Sequence, residues 1–87
     1  MTKEELAAVQ RPILDLLRAE LGLTSDRQLA HRINEEVTVM SRMSTGRAPL
    51  GAATALRVLD TGVLTLQQLR DALGPQHPLN FIKGVPK

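Results

Sequence analysis

Residues 24–47, TSDRQLAHRINEEVTVMSRMSTGR, decide how the rest of this 87-residue chain is read. Ser25 has the side chain of a helix N-cap, and Gln28, three positions on, has the spacing of a capping box. Leu29, Ala30 and Ile33 then recur at helical spacing as an inner face. Asn34 follows, one of the few non-glycine residues that tolerate the left-handed conformation of a tight interhelical turn. A third helix is expected over about residues 37–44, closed by Gly46. On a wheel of about 100° per residue, its Val39, Met40 and Met43 fall on one side, while Thr38, Ser41, Arg42 and Thr45 fall on the other and Val37 at the border.

Outward from this stretch, Leu6, Val9, Ile13, Leu14, Leu17 and Leu21 form a helical stripe that Pro12 interrupts. Because proline suits a first turn better than a helix interior, the expectation is a firm helix from Pro12 to Leu21, a looser segment ahead of it, and a left-handed cap at Gly22. A fourth helix is predicted over roughly residues 51–61, with Ala52, Ala53, Leu56 and Leu59 turned inward and Gly62 ending it. Thr65 and Gln68 repeat the capping-box spacing and start a fifth helix to about Leu73, packed through Leu66, Leu69 and Leu73. The predicted architecture is all-α: a compact five-helix domain over residues 1–74 and an irregular tail over residues 75–87. That tail, PQHPLNFIKGVPK, holds three of the five prolines and no helical period. Two readings of it stay open, an end that is extended or disordered or packs against its own helices, and a homodimer contact through Leu79, Phe81, Ile82 and Val85.

A chain of 87 residues without cysteine has neither a disulfide nor a thiolate metal site to staple it, so helix packing or association with a partner chain must hold it. Cysteine absence, no apolar run of membrane-spanning length and no signal peptide in MTKEELAAVQRP lead to a cytoplasmic expectation. The formal charge is only +2, but no acid occurs between residues 37 and 59, a window holding Arg42, Arg47 and Arg57. His31, on the outward face of the second helix, and His77, in the tail, make no metal constellation. No glycine-rich phosphate loop, HExxH, GxSxG or CxxC motif occurs, so catalysis, cofactors and metals are not expected.

The 24–46 segment resembles the lambda-repressor-like, or Cro/C1-type, helix-turn-helix family. In that family a polar cap and glutamine precede a Leu-Ala pair, followed by a turn glycine, an Ile-Ser pair and a closing glycine. Leu29-Ala30, Asn34, Met40-Ser41 and Gly46 stand at those positions here, with every spacing kept. The resemblance implies sequence-specific binding of double-stranded DNA, as a transcriptional repressor or phage-type regulator, with the third helix in the major groove. It implies that Val37, Thr38, Ser41 and Arg42 face base edges or nearby phosphates, with Thr45 on the same face, and that Asp26, Arg27 and Arg47 lie near the DNA backbone. Dimerisation would fit, since such proteins commonly bind two half-sites about 34 Å apart.

The sequence departs from the family pattern at three acids. Asp26 stands where a phosphate-binding glutamine is common, Glu35 where an apolar residue is usual, and Glu36 where Ser or Thr usually caps the recognition helix. Glu36 could favour the helix dipole, accept from a cytosine amino group, or oppose DNA. A second function class stays open for the same reason: a protein-interaction module, antitoxin-like or adaptor, in which Asp26, Glu35 and Glu36 form an acidic patch for a basic protein.

Overall fold

Thr2 begins the first helix. Its hydroxyl accepts from the Glu5 N–H and its own N–H donates to the Glu5 carboxylate, each at 3.1 Å, completing a capping box. The Thr2 backbone N–H first, and the Thr2 side chain after it, hold the Glu5 carboxyl below its ordinary value. The computed structural model describes residues 1–81. It carries five helices, α1 (Lys3–Leu21), α2 (Asp26–Arg32), α3 (Val37–Ser44), α4 (Ala52–Asp60) and α5 (Leu66–Leu73), with no strand among the described residues. The radius of gyration, 12.1 Å, matches the roughly 12 Å of a compact chain of this length.

The expected break in the first helix does not occur. α1 runs unbroken through Pro12, with Ile13, Leu14 and Leu17 buried beyond it and the Thr2 cap stabilising the turns before it. Ala8, whose carbonyl would have received the missing Pro12 N–H, is exposed, as is Pro12. The missing Pro12 hydrogen bond therefore falls on the exposed side of α1, where water is at hand.

α1 packs against α2, α3 and α5. The core is Ile13, Leu14, Leu17, Leu29, Ala30, Ile33, Met40, Met43, Leu50, Ala55, Val58, Leu69 and Leu73. α2 and α3 end alike. Asn34, at φ 59°, lets its N–H donate to the His31 carbonyl and the Glu35 N–H to that of Ala30. Gly46, at φ 78°, lets its N–H donate to the Met43 carbonyl and the Arg47 N–H to that of Arg42. Both are Schellman closures, which satisfy the last carbonyls of a helix and turn the chain sharply.

α4 adopts a different phase from the one predicted. Thr54, Ala55 and Val58 are buried and Leu59 half-buried, while Ala52 and Ala53 are exposed and Leu56 is 70% exposed. The stripe 52-56-59 and the stripe 55-58-59 have equally good helical spacing, so apolarity alone does not choose between them. Polar contacts favour the second: in this phase the Thr54 hydroxyl donates to Glu35 at 2.8 Å and Arg57 donates to the Asn34 carbonyl. Leu66 is likewise 51% exposed, in the first turn of α5, whereas Leu69 and Leu73 are buried as expected. Leu56→Ala is therefore expected to change stability by less than about 0.5 kcal/mol, and Val58→Ala to cost about 2 kcal/mol, in urea unfolding.

The tail is irregular as expected, with one short turn of helix among its described residues. Pro78–Phe81 forms a short 3-10 helix, and His77 is fully buried. Removing residues 75–87 would take this side chain out of the core, so the tail is not a detachable appendage. The dimer contacts expected of the Phe81 side chain, Ile82 and Val85 lie outside the described residues. No helix of the described residues is long and apolar enough to cross a membrane.

Candidate nucleic-acid interface

α3 is amphipathic because its buried side is held by Met40 and Met43, with Val39 packed against the core. The opposite arc, about 100° wide, carries Thr38, Ser41, Arg42 and Thr45, all of them exposed. Val37 lies at its border, 37% exposed. The Thr38 and Ser41 hydroxyls make no hydrogen bond among the described residues. Thr45 differs: its hydroxyl donates back to the Ser41 and Arg42 carbonyls at 2.9 and 3.3 Å, so only its oxygen lone pairs and methyl group remain available outward.

Of the cations assigned to this surface, Arg27, Arg42 and Arg47 are exposed and form no ion pair among the described residues. Arg57 is different, because it is held at the turn between α2 and α3 by the Asn34 carbonyl and by Glu35 at 3.8 Å.

The three departing acids separate into two kinds. Glu35 is half-buried: one carboxylate oxygen accepts from the Glu36 N–H at 3.0 Å and the other from Thr54 at 2.8 Å. It ties the turn to α4. Asp26, in the first turn of α2, lies 3.5 Å from Arg18 of α1, which also binds Asp15. Only Glu36 stands exposed without an ion-pair partner among the described residues; it is the N-cap of α3 but makes no side-chain capping bond. Ser25 caps α2 as expected, yet the box does not close on it, since Gln28 reaches one residue further back, to the Thr24 N–H and hydroxyl at 2.7 and 3.0 Å.

A cleft of about 210 Å³ runs beside the end of α3, lined by Arg11, Asp15, Arg18, Asp26, Ser44 and Thr45. Its two arginines face two aspartates, so it adds no net positive charge. No group of three or more His, Cys, Asp or Glu side chains among the described residues could hold a metal ion.

What positions the α3–α4 loop escapes sequence reading. Gln10, fully buried on α1, donates to the Met43 and Ala48 carbonyls at 2.7 and 3.2 Å. Its oxygen accepts from the Leu50 N–H at 2.6 Å and from His77 Nε2 at 2.8 Å. Both donors and both lone pairs of the amide are thus used. His77 Nδ1 accepts from the Leu79 N–H at 3.0 Å, which makes Nε2 the protonated nitrogen of a neutral ring. One signal for Gln10 was present: residues 10, 14 and 17 share the stripe that faces the core. Nothing local marks His77.

Gly46 completes the same junction. A Cβ built on it would lie 2.0 Å from the Lys3 carbonyl oxygen and 3.1 Å from the Ala7 nitrogen, so the first turns of α1 rest directly on the end of α3. Compared with family models, with curated proteins and with solved structures, the chain matches none of them.

Proposed function

We propose that the outer face of α3 binds the major groove of double-stranded DNA in a sequence-dependent way, the protein acting as a transcriptional repressor or phage-type regulator, with α2, the 33–36 turn and α3 as a helix-turn-helix. The observation that carries this reading is the arc of Thr38, Ser41 and Arg42, exposed and unpaired, on a helix whose other side is anchored in the core. Short hydroxyl side chains permit close approach to base edges, and the exposed Arg42, Arg47 and Arg27 supply charge for phosphates. Glu36 stands where it would accept from a cytosine amino group or oppose a phosphate. The alternative, an acidic patch for a basic protein, loses its main support because Asp26 and Glu35 are engaged within the chain.

Phosphate and base contacts answer to different mutations. Arg47→Ala and Arg42→Ala, if each removes one phosphate contact, are expected to shallow the slope of log affinity against log salt by about 0.9 apiece. Thr38→Ala or Ser41→Ala is expected to change which sequence is preferred, at about 1–3 kcal/mol for a true base contact. Affinities for several duplexes over a range of salt concentrations check both. An unchanged salt slope in both arginine variants would remove their phosphate role.

A further inference from the structure

The Gln10–His77 contact serves none of the DNA-facing residues directly, yet it joins the tail to the loop that carries Arg47. We propose that this contact is a proton-sensitive latch, by which the segment after α5 holds the 46–51 loop against α1 while His77 is neutral and releases it when the ring is protonated.

The geometry accepts only one protonation state. With Nε2–H donated to Gln10 and Nδ1 accepting the Leu79 N–H at 3.0 Å, a second ring proton would set two donors against each other. The ring is fully buried, and burial alone lowers its affinity for a proton. Among the described residues, no counter-charge offsets this on the neighbouring elements. On α1, Arg11 is exposed and Glu5 is taken by Thr2; in the loop, Arg47 is exposed. On α5, Arg70 donates to Asn80 and Asp71 accepts from Gln67, while on α4 Arg57 is held by Asn34.

Losing His77 removes one of the two bonds on the Gln10 oxygen. That amide is also the one that holds Met43, Ala48 and Leu50, so the loop and the tail share a single fastening. A released His77 titrates near its ordinary value of about 6.5, whereas the latched ring titrates lower. The open form therefore binds more protons, and each pH unit below about 6.5 raises the open-to-latched ratio by up to tenfold until the latched value is passed. Above about 6.5 the latch has its full strength. The consequence for DNA, a displaced Arg47 and weaker phosphate contact in mild acid, rests on the function proposed above.

The test is an NMR titration of the full chain from pH 7.5 to 5, following the His77 ring and the backbone amides, alongside His77→Gln, which keeps a donor and an acceptor but does not titrate. The expected result is that the Arg47, Ala48 and Leu50 amides move with the His77 ring at one midpoint below 6.5 while α2 and α3 amides hold, and that these shifts are absent in His77→Gln. Loop amides that stay still while the ring titrates would overturn the latch, as would collapse of all amides together or the same transition in His77→Gln. If that variant does not fold, coincidence of ring and loop in the unmodified chain decides alone. Duplex affinity over the same pH range tests the DNA reading separately: no binding at pH 7.5 overturns that reading, while the latch stands or falls on the loop amides.

Discussion

Gln10→Met is expected to lose about 4 kcal/mol of stability, because the change keeps most of the side-chain volume and removes every hydrogen bond at once. The Ala48 carbonyl, the Leu50 N–H and His77 Nε2 would be left without their partner around a fully buried position, and the Met43 carbonyl would keep only the Gly46 N–H. Each unsatisfied buried group costs about 1–3 kcal/mol, reduced where water or backbone relaxation reaches it. Domains of this size are stable by only about 5–10 kcal/mol, so the variant should be close to unfolding at ambient temperature. With a urea dependence of about 1 kcal/mol/M, its midpoint should fall by about 4 M. A shift below 1 M would mean that the amide is not the fastening of this junction.

Gly46→Ala is expected to cost about 3–5 kcal/mol, combining strain of a left-handed non-glycine residue with a backbone overlap that no side-chain rotation relieves. The added Cβ would meet the Lys3 carbonyl oxygen at 2.0 Å, so α1 would have to lift off the end of α3. Gly22→Ala supplies the control. Gly22 has a similar φ of 70° but nothing within 4 Å of its Cβ position, so only the conformational strain, about 1 kcal/mol, should remain. Thermal unfolding of the two variants separates close approach from backbone strain, and equal losses would contradict the contact with Lys3.

These two residues also mark what can be read from the chain alone. Gly46 was legible as a helix stop, and the bounds of α3 came out as expected, because caps and apolar period are local signals. That Gly46 also touches α1 was not, since the contact is made across more than 40 residues of sequence. Gln10 and His77 lie 67 residues apart, and no periodicity joins a glutamine in one helix to a histidine in a proline-rich tail. Pro12 misled because local propensity was weighed without the packing on both sides of it, which outweighs one missing hydrogen bond. Leu56 misled because two apolar stripes on α4 are equivalent until Thr54 and Arg57 are given partners on the neighbouring turn.

The candidate face was legible for a simpler reason. Alternation of small polar and apolar residues at helical spacing sorts the two sides of α3 whatever the rest of the fold does, and Thr38, Ser41, Arg42 and Thr45 all emerge exposed. The meaning of the nearby acids was not legible, because Asp26 and Glu35 find their partners on other helices, Arg18 of α1 and Thr54 of α4. Glu36→Gln probes the acid that remains: a carboxylate that opposes phosphate predicts tighter binding on all sequences, whereas one that accepts from cytosine predicts loss on the preferred site alone.

The proposal that α3 reads DNA is tested most directly by selecting bound duplexes from a random pool at moderate salt, with the unmodified chain and with Thr38→Ala/Ser41→Ala. The expected result is one short enriched motif for the unmodified chain, and for the double variant a motif altered at a few adjacent base pairs while urea unfolding stays within about 0.5 kcal/mol of the parent. A pool that shows no enrichment with the unmodified chain, or a motif that survives unaltered in the double variant, would contradict the assignment of that face to base recognition.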